Sequence, residues 1–443
     1  MIPRYQTSKM AEIWDEERKF SLWLMAELAV LDARATRGEL DSVVAVRIRQ
    51  DAKFTVARIH EIEDETKHDL LAFVQAVREN LRPKDRPEFH RGMTSYDTEE
   101  IPTSLRLTES LRVVREELEG LRRVIAVQAV AHKKTLKMGR THGQAAEPTT
   151  LGLVMLGWYD FFGRDLDRLT AANDVAAVGK IAGAVGTYGE LGPEIEKAVC
   201  ESLRLRPALH STQILHRDRI AQVMAALAVL AGNIEHVAIC FRLMGQSDFC
   251  EVREPFGKGQ KGSSRMPHKK NTITTEQLTG MARVVRGNNM AALEEIATWE
   301  ERDISQSCVE RIILPDTFHL IHYMIKKLTW VLEKMEVLPT NMERNMARSR
   351  GCIYSGVVKD LLLGWGWEAE GVYNLMQSLS FRAIDTETQL LSLLFDQPEI
   401  QQVIVDLVRQ VELESCFDPW RGLQHLDEVF ARILPHDDSS TQE

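Results

Sequence analysis

The chain has 443 residues, of which 44% are hydrophobic and 27% are charged, and its formal net charge is −10. That length allows about three domains around a large core, and the acidic balance excludes a general nucleic-acid-binding surface while leaving room for local basic patches that hold small anions. No apolar run approaches the ~20 residues that span a bilayer, because Asn233, Glu235 and His236 interrupt the most apolar segment. We therefore expect neither a nucleic acid nor a membrane as partner.

Two further features predict a cytoplasmic location. The N-terminal residues include charged side chains such as Arg4, Lys9 and Glu12, and they lack the apolar core of a signal peptide. The six cysteines are widely scattered, without a C-x-x-C pair or a spacing that suits zinc. We expect them to be reduced thiols.

The first part of the chain, to about residue 110, is typical of short helices joined by polar turns. Apolar residues from Phe20 to Leu31 recur at helical spacing and predict one helix that ends near Gly38. A second apolar helical face runs from Leu70 to Val77. The stretch 83–97 is loop-like.

Beyond this region the apolar residues alternate at spacings of three and four. Such seams run through four segments, which begin near Leu107, Leu151, Ile220 and Ile321. The third segment, predicted from about 216 to 247, would be roughly 48 Å long at 1.5 Å per residue. A helix of that length needs partners along its whole extent, so the seams predict a bundle and association between subunits.

After about Gly364 the pattern changes to shorter amphipathic helices, and nowhere does a strand-like alternation continue for any length. The sequence therefore predicts an all-α fold with three helical domains. We place an N-terminal helical domain at 1–110, a central long-helix bundle domain at 111–364 and a C-terminal helical domain at 365–443.

One loop, 257–271, stands out chemically. It begins with three glycines in six residues and presents Ser263 and Ser264 among five lysine and arginine side chains. Thr274-x-x-Gln277 then predicts a capping box that opens a helix, and a helix N-terminus favours anions. The residues alone allow either a basic surface loop with a helix cap or a mobile anion-binding flap. A phosphate-binding P-loop is excluded, because the lysine before Ser263 and a preceding strand are missing.

Among the histidines outside the predicted helices, three are candidates for acid–base work. His142 lies in the predicted loop 139–144, between two glycines and beside an arginine. His68 follows a charged stretch, and His90 lies in the loop-like region. The residues alone leave a structural role open for all three. The histidines that fall inside predicted helices are interpreted as structural: His216, His236, His319 and His322.

The stretch from Gly262 to Asn271, Gly-Ser-Ser-x-Met-Pro-x-Lys-x-Asn, resembles the signature of the fumarase/aspartase superfamily. Within it, the chain most resembles the adenylosuccinate lyase family, to about residue 430. Supporting segments are Arg4-Tyr5, Lys67-His68-Asp69, Gly139-Arg140-Thr141-His142-Gly143, Glu147-Pro148-Thr149-Thr150, Ser211-Thr212-Gln213, Glu301-Arg302-Asp303-Ile304-Ser305 and Glu310-Arg311. The resemblance implies an all-α homotetramer whose central helices form one bundle and whose active sites are shared between subunits.

The resemblance also implies an activity. Enzymes of this family cleave a C–N bond by β-elimination in purine nucleotide biosynthesis. They release fumarate from adenylosuccinate, which gives AMP, and from the succinylated aminoimidazole carboxamide ribotide. The chemistry requires no metal or organic cofactor. The alternatives are a superfamily lyase or cycloisomerase with an argininosuccinate- or carboxymuconate-type substrate, and a silent scaffold on the same fold, although a scaffold would need none of the matched acid–base residues.

By the same resemblance, Ser263 is the base and His142 is the acid that protonates the leaving nitrogen. Glu276 orients His142, and Lys269 with Asn271 holds the negative charge that develops on the substrate carboxylate. His68 and His90 match further active-site histidines of the family. The residues implied to bind substrate are Arg4, Tyr5, Lys67, Asp69, Thr94, Ser95, Gln213, Ser264, Asn271, Arg302, Ser307 and Arg311.

Three positions depart from the family pattern. The family usually has a small residue where Arg265 stands, proline where Thr272 stands and arginine where Lys67 stands. The residues of the elimination chemistry are all present, so these changes bear on the substrate rather than on the reaction.

Overall fold

The computed structural model describes residues 1–404 and 407–434. About two thirds of the chain is helical and strands are few, which confirms the all-α class. Residues 405–406 and 435–443, within the predicted C-terminal domain, lie outside the described residues. The predicted three-domain division itself stays a prediction.

Eighteen α-helices occur in the described residues. In chain order they are Ser8–Trp14 (α1), Glu16–Thr36 (α2), Ser42–Asp51 (α3), Val56–Thr66 (α4), Asp69–Asn80 (α5), Ser95–Ala131 (α6), Leu151–Ala176 (α7), Pro193–Ser202 (α8), Asp218–Met244 (α9), Ile273–Glu294 (α10), Ser305–Lys334 (α11), Pro339–Ala347 (α12), Ser355–Gly364 (α13), Ala369–Asp385 (α14), Leu390–Phe395 (α15), Pro398–Val403 (α16), Leu407–Ser415 (α17) and Leu426–Ile433 (α18). Short 3-10 turns span Pro3–Tyr5, Arg86–Glu88, Cys352–Tyr354 and Arg421–Leu423.

The strands of the described residues form three two-stranded pairs. They are Leu136–Thr141 (β1) with Gln144–Thr150 (β2), Val178–Gly179 (β3) with Arg206–Pro207 (β4), and Val252–Arg253 (β5) with Glu336–Val337 (β6).

The predicted long helices are confirmed. The third seam forms α9, which begins two residues later and ends three residues earlier than predicted. Its seam residues from Ile220 to Met244 are all buried, and so are those of α6 from Leu107 to Ile125. The seams therefore form the buried faces of the long helices, as the alternating spacing indicates.

The helix after the serine-bearing loop begins differently from the prediction. Instead of a capping box at Thr274, α10 starts at Ile273 and the carboxylate of Glu254 accepts hydrogen bonds from the backbone N–H groups of Thr274 and Thr275, at 3.1 and 2.7 Å. The capping-box prediction is wrong because a side chain twenty residues earlier satisfies the free N–H groups. A carboxylate at this end also complements the helix dipole.

The predicted loop before Pro148 is also different, because it forms the antiparallel hairpin of β1 and β2. The expectation that a helix starts at Pro148 is wrong as well: Pro148 lies inside β2, and α7 begins at Leu151. Each strand is short and carries mixed polar and apolar residues, so the sequence shows no alternation that would indicate a strand.

The chain divides into two compact units, each assembled from three separated stretches. Unit 1 contains Met1–Gly120, Arg164–Glu235 and Leu278–Lys327, and unit 2 contains Leu121–Gly163, His236–Gln277 and Leu328–Glu443. In unit 1 an aromatic cluster that includes Phe20 and Trp23 of α2 and Phe73 of α5 forms part of the core. In unit 2 apolar residues of α13 to α17, such as Leu362 and Leu394, form a separate core.

One helix in the described residues, α9, is long and apolar enough to cross a membrane by length and composition alone. The polar residues Asn233, Glu235 and His236 do not lower its hydropathy below the level of a membrane-spanning helix. Just over half of the apolar window, 56%, is buried inside the protein. The core helix of a soluble protein meets the same criteria, so this observation is weak evidence for a membrane span.

Candidate active site

The hairpin of unit 2 carries His142 at its tip. Thr141 pairs with Gln144, so the connecting turn consists of His142 and Gly143 alone. Both residues have positive φ, 53° and 77°, as the type I′ turn of a tight hairpin requires. Glycine adopts this conformation at little cost, whereas a histidine does so at the expense of strain. The turn presents an exposed imidazole on a short, rigid support.

A buried carboxylate anchors this hairpin. Glu251 is fully buried and accepts two hydrogen bonds from the guanidinium of Arg140, at 2.8 and 3.3 Å. The side-chain amide of Asn345 donates to the same carboxylate at 3.1 Å. A two-pronged arginine–carboxylate pair holds its partners in one orientation. Glu251 therefore fixes the strand that leads directly into His142.

The serine-bearing loop, 257–271, positions Ser263 by its own backbone. The Ser263 Oγ accepts hydrogen bonds from the backbone N–H groups of Arg265, at 3.3 Å, and Met266, at 3.1 Å. Two donors on one hydroxyl oxygen stabilise negative charge there and favour loss of its proton. This geometry suits a serine that acts as a base.

The base of the loop is closed by two contacts. Gly262 packs so tightly against the carbonyl of Lys269 that a Cβ would lie 2.1 Å from the oxygen, so only glycine fits. Asn271 donates its side-chain amide to the carbonyl of Gly262 at 2.8 Å. Lys269 is exposed, and it lines a cleft of about 600 Å³ with Asn271 and Glu276.

The expected pairing of Glu276 with His142 stays a prediction. In the described chain, Glu276 accepts a long hydrogen bond, 3.4 Å, from the Thr272 hydroxyl. Thr272 is one of the positions where the family usually has proline, and a proline could not donate this bond.

In unit 1 the structure joins three of the predicted binding residues. Arg302 donates to the side-chain oxygen of Gln213 at 3.1 Å, and the Gln213 amide donates to the Thr94 hydroxyl at 3.4 Å. The guanidinium carbon of Arg302 also lies 4.1 Å from the centroid of the Tyr96 ring. Ser95 is the first residue of α6, directly after Thr94. Residues more than 200 positions apart therefore form one polar surface.

Buried charges behind this surface hold it in place. Lys180 and Asp97 form a fully buried ion pair at 2.7 Å. Asp97 also accepts the backbone N–H of Thr94, and Lys180 donates to the backbone carbonyl of Gln213, at 2.9 and 2.8 Å. The pair thus sets the spacing between Thr94 and Gln213.

A second arginine of unit 1 is held by carboxylates. Arg311 lies 2.7 Å from Asp69 and 3.9 Å from Glu99. Burial alone raises the pKa of Asp69, but the charges of Lys19 and Arg311 hold it below its ordinary value. Burial, with the nearby charge of Asp69, raises the pKa of Glu99 to about 7. Arg311 and Ser307 line a cavity of about 210 Å³.

The expected substrate-binding role of Asp69 stays a prediction. Its carboxylate contacts Lys19 and Arg311, so in this structure it positions an arginine. His68 precedes it as the N-cap of α5, where its Nδ1 accepts a long bond, 3.5 Å, from the backbone N–H of Leu71. Lys67 ends α4 in the left-handed conformation and its side chain is largely exposed.

Two predicted residues lie apart from the others. Tyr5 packs its ring edge against Tyr323 at a centroid distance of 5.4 Å, and Arg4 beside it is exposed. Tyr323 is three turns further along α11 than Arg311, roughly 18 Å at 1.5 Å per residue. Neither Arg4 nor Tyr5 is among the residues that line the Arg311 cavity within one chain.

Comparison with known proteins places this geometry in a family. A family model described as "Lyase" matches residues 4–287. The chain is 41% identical over 433 residues to a protein of Synechocystis sp. named adenylosuccinate lyase, covering 98% of this chain and 100% of that protein. It is 40% identical to the protein of that name from Bacillus subtilis and 39% identical to that from Thermotoga maritima, over 98% of this chain and 99% of each relative.

The chain belongs to the adenylosuccinate lyase family. It is accordingly a lyase of the fumarase/aspartase superfamily, which confirms the resemblance carried by the signature motif. The family assignment rests on full-length similarity and not on the loop alone.

Solved structures share the fold. A fumarate lyase from Mesorhizobium sp. BNC1 superimposes with a TM-score of 0.87 at 22% identity, covering 98% of this chain and 99% of that chain. A 3-carboxy-cis,cis-muconate lactonizing enzyme from Pseudomonas putida gives a TM-score of 0.87 at 24% identity, with 97% and 96% covered. At such identities the likeness concerns the fold alone.

The sequence did not reveal the buried charged residues that position the candidate site residues. No sequence motif identifies Glu251, Asp97 or Lys180 as a site residue. A lone carboxylate in a sequence shows no partner, and each of these pairs joins segments about 80 or more residues apart. One signal was available: Asp97 lies two residues after the polar Thr94-Ser95 pair.

Proposed function

We propose that the protein cleaves the C–N bond of adenylosuccinate to give AMP and fumarate, and cleaves the succinylated aminoimidazole carboxamide ribotide in the same way. The observation that carries the reaction type is the Ser263 hydroxyl, which receives two backbone N–H donors within a cationic loop. Relatives named adenylosuccinate lyase at 39–41% identity support the substrate.

The elimination has two proton transfers. Ser263 removes a proton from the carbon next to a substrate carboxylate, and the C–H electrons form the new C=C bond. The C–N electrons leave with the nitrogen, which takes a proton from His142. Lys269 stabilises the negative charge that develops on the carboxylate. The products are fumarate and the free amine of the nucleotide, so atoms and charges balance without a cofactor.

The polar surface of unit 1 supplies binding groups. Thr94, Ser95 and Gln213 hold the succinyl carboxylates, and Arg302, which donates to Gln213, holds the phosphate and ribose of the nucleotide. Arg311 and Ser307 hold the phosphate, because a forked guanidinium matches phosphate oxygens. Asp69 orients Arg311 in this arrangement. His68 and His90 face the substrate near the phosphate and the reacting centre.

The complete site is proposed to form between subunits of a cytoplasmic homotetramer. Large apolar side chains remain exposed on the long helices of the single chain, among them Val127 on α6, Ile239 on α9 and Met290 on α10. An isolated protein rarely leaves such faces open. Arg4 and Tyr5, distant from the Arg311 cavity in one chain, then serve the site of a neighbouring subunit.

An absorbance assay with purified protein and adenylosuccinate tests the proposal, with fumarate and AMP identified by chromatography. We expect both products in equal amounts, and fumarate also from the imidazole substrate. Argininosuccinate and 3-carboxymuconate serve as competing substrates. Turnover of either of these, with none of adenylosuccinate, would contradict the proposal. Only turnover of argininosuccinate would leave the fumarate-releasing lyase assignment intact.

A further inference from the structure

We propose that Glu27 is a positioning residue for the reaction and that it acts by holding His90 in one tautomer and one orientation. No sequence motif pointed to Glu27. This inference rests on the proposed function in one respect, namely that His90 serves the substrate. The structural part, a carboxylate–histidine pair, stands on its own geometry.

The pair is short and buried. The Nδ1 atom of His90 lies 2.7 Å from Oε1 of Glu27, whose side chain is 1% exposed, while the His90 side chain is 13% exposed. The hydroxyl of Thr98, fully buried on α6, donates to the same oxygen at 2.6 Å. A carboxylate oxygen that already accepts from a hydroxyl also accepts from the ring, so the ring proton resides on Nδ1. Nε2 remains for substrate.

The backbone around His90 is fixed as well. The carbonyl of Phe89 accepts a hydrogen bond of 2.6 Å from Arg78, and the buried Phe89 ring packs 6.4 Å from that of Phe73. His90 itself has φ 63°, a conformation that costs free energy for a residue other than glycine. Such strain persists only where the surroundings impose the conformation. Here the contacts of Arg78 and Glu27 fix the main chain and the ring, respectively.

The second oxygen of Glu27, Oε2, is buried and has no hydrogen-bond partner among the described residues. A buried carboxylate that is only half satisfied destabilises the fold, so its presence at this position calls for a reason. One such reason is that the carboxylate stabilises the His90 ring, which must exchange protons with the substrate or donate a hydrogen bond to an anion. This is the role that a carboxylate plays behind a catalytic histidine in serine hydrolases.

Other charged groups on the packed elements are engaged away from the ring. The pairs are Arg34 with Glu88, Arg91 with Glu88 and Glu190, and Asp97 with Lys180. Glu27 is therefore the charged group that contacts the His90 ring within the described residues. Glu88, on the same turn as His90, offers a matched control, since it is a carboxylate in ion pairs that does not touch the ring.

The test compares Glu27→Gln with Glu88→Gln and adds a double-mutant cycle with His90→Gln. A glutamine can offer its N–H to Nδ1 and so favour the opposite tautomer. We expect Glu27→Gln to lower kcat on the order of 100-fold, with a changed pH profile of kcat and a nearly unchanged Tm. Glu88→Gln should keep the parent profile. Added to His90→Gln, Glu27→Gln should cost little more, because both act through one ring.

A measurement that does not depend on turnover distinguishes the role of Glu27 from the proposed function. Ring-15N spectra of histidine-labelled protein, with His90 assigned by its loss in His90→Gln, should show an Nδ1–H tautomer that changes in Glu27→Gln. An unchanged ring signal, or additive losses in the cycle, would overturn the role of Glu27. A correct tautomer in a protein that does not turn over adenylosuccinate would instead overturn the proposed function.

Discussion

At the scale of single residues, the Ser263 hydroxyl shows how a weak base is prepared by its own loop. Its oxygen accepts from two N–H groups that follow it in sequence, so the support for an alkoxide does not depend on a distant element. His142, by contrast, owes its position to a buried carboxylate more than 100 residues away. A mutation at a distant residue such as Glu251 can therefore displace His142, whereas the contacts of Ser263 depend only on its own loop.

Replacing the two adjacent serines separates catalysis from binding. Ser263→Ala removes the proposed base and should lower kcat by roughly 10²- to 10⁴-fold, whereas Ser264→Ala should mainly raise KM. Steady-state kinetics on adenylosuccinate, with sedimentation to confirm the parent assembly, measure both. Equal kcat for Ser263→Ala and the parent protein would remove Ser263 from the mechanism.

A buried triad predicts a pH dependence of stability. Arg217 lies 2.6 Å from Glu100 and 2.8 Å from Glu310, and burial, only partly offset by Arg217, raises the pKa of Glu310 to about 8. Because this folded-state pKa exceeds the ordinary value, folded protein holds a proton that unfolded protein releases between about pH 4.5 and 8. The free energy of unfolding should therefore fall as pH rises through that range.

Glu310→Gln abolishes this titration, so its Tm should fall less than that of the parent between pH 5.5 and 9, by roughly 2–5 °C. The exposed Glu294→Gln on α10 serves as the control and should follow the parent. Parallel curves for Glu310→Gln and the parent would show that Glu310 does not titrate in this range.

At the scale of elements, the long helices were predictable because apolar residues recur many times along one face of each helix. The eight apolar positions of α9 all proved buried, and an error at any one would not have changed the prediction. The hairpin that carries His142 has no such redundancy. Its strands are six and seven residues long, and contacts with Glu251, not a pattern, hold it in place.

Two glycines of this hairpin should differ in what an added methyl group does. A Cβ at Gly139 would lie 2.4 Å from the Glu147 carbonyl oxygen, while one at Gly143 meets nothing within 4 Å. Gly143→Ala should cost about 1 kcal/mol through its positive φ, but Gly139→Ala must displace the opposite strand. Hydrogen exchange of the β1 and β2 amides should be faster in Gly139→Ala, with kcat reduced as His142 shifts. Equal exchange in both variants would contradict the hairpin geometry.

At the scale of the whole molecule, the proposed site takes residues from distant parts of the chain. Within unit 1 the structure assembles Thr94, Gln213 and Arg302, and within unit 2 it supports Ser263 and His142 separately. The family signature located these groups in sequence, but the sequence could not indicate which chain of an assembly each one serves. The answer depends on how subunits associate through the apolar faces of the long helices that are exposed in a single chain.

Mixing two inactive variants answers it. Ser263→Ala and His142→Gln should each be inactive alone and sediment as tetramers. If a site draws the serine and the imidazole from different subunits, then unfolding and refolding an equal mixture yields sites with both residues intact in about a quarter of cases, by random assembly. Activity should recover to roughly that fraction of the parent rate.

The control is the same mixture without dissociation, which should stay inactive while the tetramers remain intact. Zero recovery after verified subunit exchange would mean that one chain supplies both residues. In that case the proposal that the serine and the imidazole come from different subunits would have to be abandoned. A protein that sediments as an active monomer would lead to the same conclusion more directly, since a single chain would then complete the site.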